Sequence, residues 1–280
     1  MDIKDYQRRL FPYAYNILGS HDDAKDAVQD VITKYVSADK QDIDRPLNYL
    51  IKSVINQSIN IKKKSGRSSP SKIPLPEPLS TDNADKSICQ KEIISYSLLV
   101  LLNSVSTKER AVFILKEAFD YSHEEIADVL QITIEGSRKL LSRAKTKLSA
   151  LKKDSFKRSF ANASSLENYV NAIKNGDVKN LENLLVKDIA VMVDGGTLSI
   201  VSAFEIGVSN VIQLMTYVYN TYQTETEIKL SSVNHQPALL FYQDGLLINC
   251  QVFEFGEDTT LIAGIYSIVD PEKLKNFDKI

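Results

Sequence analysis

Apolar positions recur with a helical period through the first sixty residues. Ala24, Ala27, Val28, Val31, Ile32 and Tyr35 follow the i, i+3, i+4, i+7, i+8, i+11 series of one helix face. Ser20-His-Asp-Asp23 ahead of them has capping-box spacing, and Asp22, Asp26 and Asp30 line the opposite face. A second helix opens at Pro46, a residue suited to a first helical turn, and buries Leu47, Leu50, Ile51, Val54 and Ile55. Its polar side carries Asn48, Lys52, Asn56 and Asn60 and runs into Lys62, Lys63, Lys64 and Arg67. Residues 65–88 break the period. Ser65-Gly-Arg-Ser-Ser-Pro70 and Ile73-Pro-Leu-Pro-Glu-Pro-Leu79 predict an extended, semi-rigid linker.

Helical patterning returns over 89–158. Ser106-Thr-Lys-Glu109 and Ser122-His-Glu-Glu125 each have capping-box spacing and each starts a short helix. Ile126, Ala127 and Leu130 face inward on the second, and Gln131-Ile-Thr133 makes a tight connection with Thr133 as N-cap. A longer helix follows, with Ser137, Leu141, Ala144, Leu148 and Leu151 along one stripe. Short helix, three-residue turn and second helix is a helix-turn-helix.

From about residue 164 the pattern changes again. Two short helices (Leu166–Lys174, Val178–Leu185) precede a strand over Ile189–Val193, an Asp194-Gly-Gly196 turn and a strand near Leu198–Val201. A helix over Val208–Tyr222 leads to strands at about 226–233, 237–242, 246–255 and 259–269, with Asp244-Gly245 a hairpin turn. The chain therefore divides into helical 1–64, linker 65–88, helical 89–158 and an α+β segment 164–280.

Composition adds a charge asymmetry. The 280 residues have a net charge of −2, yet 1–160 carry 27 basic and 21 acidic side chains and 161–280 carry 7 and 15. A basic front and an acidic back point to a nucleic-acid partner for the first part alone. Two cysteines, Cys89 and Cys250, leave little scope for a disulfide framework and favour a reducing cytoplasm. The start lacks a basic region followed by an apolar run, so no signal peptide is expected, and no window reaches membrane-span length.

The helix after Thr133 is the sharpest feature. Gln131 to Arg158 holds nine basic residues, ending in Lys152, Lys153, Lys157 and Arg158, against Glu135 and Asp154. Arg138, Ser142 and Lys145 fall on one stripe, with Lys139 and Arg143 beside it. In a helix-turn-helix this helix enters the major groove, its first turns reaching base edges and its later cations phosphate. The DNA-facing set is Glu135, Ser137, Arg138, Lys139, Ser142, Arg143 and Lys145. A second nucleic-acid face combines Asn48, Tyr49, Lys52, Asn56, Lys62 and Lys63. The acidic face, Asp22, Asp23, Asp26 and Asp30 with Gln29, is either solvated or seeks a basic protein partner.

These pieces in this order resemble the sigma-70 family of bacterial transcription initiation factors, in its extracytoplasmic-function (ECF) group. Asp23-Ala-Lys-Asp-Ala-Val-Gln-Asp30 is similar to the polymerase-binding helix, and Pro46-Leu-Asn-Tyr-Leu through Asn56 to the helix that handles the −10 promoter element. Leu102 to Leu148, with Glu124-Glu-Ile-Ala127 and Ser142-Arg-Ala144, resembles the domain recognising the −35 element. Tyr49 stands where the family usually has Trp, and Gln131 where its turn often has Gly. The rest resembles the subgroup with a C-terminal SnoaL-like extension. Pro74-Leu-Pro-Glu-Pro-Leu79 is similar to its linker motif, Asp194-Gly-Gly196 to its Asp/Gly-rich turn (Thr197 replacing a further Gly) and Asp270-Pro-Glu-Lys-Leu274 to its closing motif (Asp270 replacing Asn).

The resemblance implies two all-α domains and an α+β cone with a curved antiparallel sheet. It implies core RNA polymerase and promoter DNA as partners, with no cofactor and no membrane anchor. It also implies that the extension tunes activity in cis through Leu75, Pro76, Glu77, Pro78, Asp194, Gly195, Gly196, Asp270, Pro271, Lys273 and Leu274. A cone lined by Leu239, Phe241, Ile248 and Val252 is a place for a small apolar ligand, filled core being the commoner outcome.

The competing classes are a stand-alone helix-turn-helix regulator with a ligand-sensing or vestigially enzymatic extension, and a SnoaL-like enzyme. Asp194, His235, Asp244, Glu254 and Tyr242 are the groups available for acid–base work, and no paired His/carboxylate spacing joins them. His21, His123, His235 and the two cysteines have no metal-ligand spacing, and no glycine-rich phosphate loop is present.

Overall fold

The computed structural model describes residues 2–37, 44–65, 75–82, 91–151, 163–196, 203–256 and 260–277. Arg67, Pro70, Ile73, Pro74, Cys89, Lys152, Lys153, Asp154, Lys157, Arg158, Thr197 and the strand expected over Leu198–Val201 lie outside them. The chain forms two units. Among the described residues one is helical; the other contains the sheet, its helices and two short pieces from earlier in the chain, Glu77–Asp82 and Ser95–Ser97.

In the first unit come α1 (Ile3–Leu18), α2 (His21–Ser37) and α3 (Pro46–Ser65), the last two burying the faces their periodicity predicts. The Ser20 hydroxyl accepts the Asp23 N–H at 3.2 Å, which caps α2. Gly19 ends α1 in the left-handed region (φ +74°), its N–H reaching the Tyr15 carbonyl at 2.7 Å. Leu47 is only half-buried, whereas Leu50, Ile51, Val54 and Ile55 are core. Next come α4 (Tyr96–Leu101), a 3-10 turn, α5 (Thr107–Glu117), α6 (His123–Leu130) and α7 (Ile134–Leu151). Both expected capping boxes, Ser106/Glu109 and Ser122/Glu125, are closed in both directions. Gln131 takes the left-handed conformation (φ +50°) where a glycine would cost less, and the Thr133 hydroxyl caps α7 through the Gly136 N–H at 3.0 Å.

The second unit runs α8 (Ala163–Asn175), α9 (Val178–Leu184), β1 (Leu185–Asp194), β2 (Ala203–Ile206), α10 (Val208–Tyr222), β3 (Glu227–Val233), β4 (Gln236–Gln243), β5 (Leu246–Phe255), β6 (Ile262–Ile268) and α11 (Pro271–Leu274). Its sheet has the order β2-β1-β6-β5-β4-β3. Four pairings are antiparallel, as the hairpin signals predict; β1 and β6 are parallel. Parallel neighbours need a long connection, here everything between residues 194 and 262, and no local pattern announces it. Two hairpins turn on residues with positive φ, Asn234-His235 (+48°, +61°) and the expected Asp244-Gly245 (+51°, +79°). Leu239, Phe241, Phe253, Phe255 and Ile265 on one sheet face pack with α8, α9 and α10 into the core, with Ile248 at its margin. Val252, expected to share that face, lies on the other, since side chains alternate along β5.

The two extension motifs meet inside this unit. Asp194 accepts from Lys273 Nζ at 2.6 Å through one carboxylate oxygen and from the Gly196 N–H at 2.8 Å through the other. Asp270 caps α11 through the Glu272 N–H at 3.1 Å, with Pro271 in its first turn. A methyl group at Gly196 would overlap the Asp270 carboxylate, and its φ of +58° already disfavours a side chain. Gly196→Ala is therefore expected to destabilise this unit by more than Gly176→Ala, which meets open space at φ +62° and should lose about 1–2 kcal/mol. Thermal melts of the two variants check the order.

The linker's second half is not free chain. Ser80 forms an antiparallel bridge with Val233, and the Thr81 N–H bonds the Ser232 carbonyl at 2.8 Å. The Asn234 side chain accepts from the Leu79 N–H at 3.0 Å while its own N–H bonds the Leu79 carbonyl at 3.0 Å. Asp82 accepts from the Ser231 hydroxyl and the Ser232 N–H. Further on, Gln236 Oε1 accepts the Ser97 N–H at 2.7 Å.

Candidate nucleic-acid and polymerase interfaces

The exposed face of α7 starts from its docking. Ala144 and Leu148 are buried, and Lys147 reaches the largely buried Glu109 carboxylate of α5 at 2.8 Å. Burial pulls the Glu109 pKa upward, but hydrogen bonds from Lys147 and Ser106 outweigh it and hold it below the usual value. Lys145 pairs with Glu117 at 2.7 Å, so this cation also tethers α7 to α5. Ser137 is buried, its hydroxyl 2.9 Å from His123 Nδ1, and does not face DNA. A small side chain is what the close approach of α6 and α7 requires at that stripe. Glu135, Arg138, Lys139, Ser142 and Arg143 are exposed, and none of these charged groups makes an ion pair with a described residue. The face left for a ligand is thus cationic over its first three turns.

On α2, Asp23, Asp26, Gln29 and Asp30 are exposed and Asp22 is half-buried. Partial desolvation and repulsion from Asp26 hold the Asp23 pKa above its ordinary value, against the pull of Lys62. A raised acid pKa in the folded state means that ionisation costs stability above that pKa, and that acidification relieves the cost. Asp23→Asn should therefore melt higher than the parent at pH 7, with the gap closing below about pH 4. Melting temperatures across that range check it.

The α3 set divides. Asn48, Tyr49 and Lys63 are exposed, Tyr49 beside Tyr35 with ring centroids 6.3 Å apart. Lys52 instead pairs with Asp128 of α6 at 3.0 Å, and the Asn56 amide donates to the Val129 carbonyl at 3.0 Å. Lys62 Nζ donates to the Leu18 carbonyl at the C-terminus of α1, at 2.6 Å. These three hold the helical unit together. Sequence reasoning missed Arg110 of α5 altogether. It is 1% exposed, and its guanidinium donates to the Asn16 carbonyl of α1 (3.0 and 2.9 Å), the Asn103 side chain (2.9 Å) and the Leu99 carbonyl (3.5 Å). An Arg directly after a capping-box Glu, next to an apolar run, is the signal that could have flagged it.

Residues 3–68 match the family described as sigma-70 region 2, and residues 95–148 match sigma-70 region 4. The chain carries sigma-70 regions 2 and 4. It is a sigma factor, the class of protein that directs RNA polymerase to promoters, with core polymerase and promoter DNA as partners. Region 2 supplies α1–α3, and region 4 begins near α4 and ends within α7. The fold is that of the extracytoplasmic-function sigma factor SigJ of Mycobacterium tuberculosis, 19% identical, covering 99% of each chain with a TM-score of 0.75. Partial likenesses include RpoE of Bartonella quintana, solved with the anti-sigma factor NepR (22% identity, 54% of this chain and 95% of that one, TM-score 0.37). Another is a ketosteroid isomerase, so described, of Kribbella flavida (10% identity, 38% and 74%, TM-score 0.27). Comparison with curated protein sequences finds no match. Among the described residues no helix is long and apolar enough to cross a membrane.

Proposed function

We propose that this is an ECF-type sigma factor, working in the cytoplasm, whose α7 binds the −35 element, reading bases through Glu135, Arg138 and Lys139 and holding phosphate through Ser142 and Arg143. The observation that carries the reading is the exposed cationic face of a capped helix-turn-helix whose other lysines are tied to α5. Asp22, Asp23, Asp26, Gln29 and Asp30 dock on a basic surface of core polymerase. Asn48, Tyr49 and Lys63 meet the opened −10 strand, the exposed tyrosine offering a ring on which a base can stack.

Regions 2 and 4 sit in one unit, joined by Lys52–Asp128 and Asn56–Val129. Elements centred near −10 and −35 lie about 85 Å apart along B-DNA. Binding both requires the regions to part, which releases Lys52 and Asn56 for the −10 strand. The extension regulates that step in cis by gripping the linker at Leu79–Asp82 and Ser97. A small-molecule signal would act through the same domain.

Catalysis is not part of the reading, because the candidate acid–base groups are engaged in structure. Asp194 is paired with Lys273, Glu254 accepts from the Tyr266 hydroxyl at 2.7 Å, and His235 and Asp244 hold hairpin turns.

The test is reconstituted transcription with core polymerase, using the full chain and a truncation after Arg158. Promoter-specific transcripts should require the polymerase, and truncation should change their yield. Tight promoter binding by the protein alone would favour the stand-alone regulator instead. Asp26→Lys with Asp30→Lys should weaken co-purification with core polymerase at least about tenfold without lowering the melting temperature. Retained binding would remove the docking role from α2.

A further inference from the structure

We propose that the interior of the α+β unit holds a binding site for a small uncharged molecule bearing a carboxamide or ketone, built on Gln251, Asn249 and Tyr169. This deepens the regulatory reading above and depends on it only for the ligand's effect on transcription.

The site follows from strand alternation. Phe253 and Phe255 of β5 belong to the core beneath α8–α10, so Gln251 and Asn249, two and four residues before Phe253, present to the same face. Their cross-strand partners agree: Gln251 lies opposite Leu239, and Asn249 opposite Phe241, both core residues. On the other side Gln251 is opposite Ser267 of β6, whose hydroxyl donates to Asn249 Oδ1 at 2.9 Å. Tyr169 of α8 comes down on this face with its ring edge-on to Phe253, centroids 5.2 Å apart.

These side chains are sealed from solvent: Gln251 is 1% exposed, Asn249 2% and Tyr169 3%. Both amide atoms of Gln251, the Asn249 nitrogen and the Tyr169 hydroxyl have no hydrogen-bond partner. They are four of the five such side-chain atoms among the described residues. A polar group buried unpaired costs free energy that an apolar residue of the same volume would save, and native interiors seldom carry one. Three of these atoms lie on one face of β5 and the fourth on the ring that meets Phe253 of that face, so polar groups of a ligand would satisfy them together.

Their chemistry describes that partner. Two amide nitrogens donate, one amide oxygen accepts, and the phenol, kept neutral by burial, does either. A carbonyl oxygen answers the donors, and an amide N–H would answer Gln251 Oε1. The charged groups on the neighbouring strands turn elsewhere: Glu254 alternates to the opposite face, bound to Tyr266, and Asp194 is paired with Lys273. A charged ligand would therefore be buried without a counter-ion. The core on this sheet face is apolar, Met215, Tyr219, Phe241 and Phe253 among its members, so the body of the ligand would be apolar too.

The test uses the full-length isotope-labelled protein with benzamide, hexanamide and acetophenone as probes and benzoate as charged control. A neutral probe should shift the side-chain amide resonances of Gln251 and Asn249 in NMR spectra and raise the melting temperature; benzoate should do neither. Gln251→Met should weaken that binding by at least about tenfold, and Tyr169→Phe, which removes one hydroxyl and keeps the ring, by about five- to tenfold. Should none of the neutral probes move those resonances at millimolar concentration while Gln251→Met simply melts higher, the site is overturned. Transcription with and without the bound probe separates the two readings. Binding with unchanged transcript yield keeps the site and overturns its signalling role, whereas a protein inactive as a sigma factor leaves the resonance test standing.

Discussion

Arg110→Leu is expected to destabilise the helical unit by about 3–5 kcal/mol, read as loss of hydrogen-exchange protection across α1 and α5 in the full chain. The guanidinium is wholly buried, and desolvation pulls its pKa down to about 10, so it stays charged near neutrality. Among the described residues no carboxylate forms an ion pair with it. Its hydrogen bonds end on the Asn16 and Leu99 carbonyls and the Asn103 amide oxygen. Asn16 lies in the last turn of α1, where carbonyls lack helical partners and the helix dipole is negative, so a cation fits the end of this helix. Leucine removes the charge and leaves those acceptors dry. Arg110→Lys keeps the charge but cannot reproduce a fork that reaches two carbonyls and an amide, and it should recover less than half of the loss. A leucine variant within 1 kcal/mol of the parent would mean that α1 is held instead by stacking just past the end of α5, such as Tyr13 on Phe119, centroids 3.9 Å apart. In the weakened variant regions 2 and 4 part more readily, so promoter binding by the holoenzyme should become faster even as the free protein melts lower.

What was legible in the chain is what is local. The capping boxes at Ser106 and Ser122, the inward stripe of α2, the Asp244-Gly245 turn and the strand alternation all involve residues within a few positions of each other. Contacts between distant residues left no such mark. Lys52 and Asn56 look in sequence like nucleic-acid ligands, and nothing short-range says that Asp128 and Val129 will claim them. Ser137 stands in the sequence both on the inward stripe of α7 and in the DNA-facing set, and its burial against His123 leaves it on the stripe. The proline-rich linker announces extended chain, but its seat on the β3–β4 turn depends on Asn234, whose left-handed backbone places its side chain against Leu79. The orphaned polar atoms of β5 were invisible too, because a glutamine in an alternating strand reads as solvent-facing until its neighbours prove to be core.

Arg138→Ala with Arg143→Ala should lower promoter binding by the holoenzyme at least about thirtyfold, each arginine contributing about 1–3 kcal/mol. The two replacements should fail in different ways. Arg138 stands in the second turn of α7, and the N-terminal part of a recognition helix reaches base edges. A guanidinium there matches the O6 and N7 acceptors of guanine, so Arg138→Ala should relax preference at one base pair of the −35 element. Arg143 lies more than a turn further on, where the helix diverges from the groove floor towards phosphate. Its loss should weaken all sequences alike and reduce the salt dependence of binding by about one ion. Lys147→Ala is the control, because that lysine is committed to Glu109. It should loosen α7 without altering base preference. Mobility-shift titrations over a salt series, against promoter variants at each −35 position, separate the three behaviours. If both arginine variants keep the affinity, base preference and salt slope of the parent, α7 is a solvated basic helix and another surface reads the promoter.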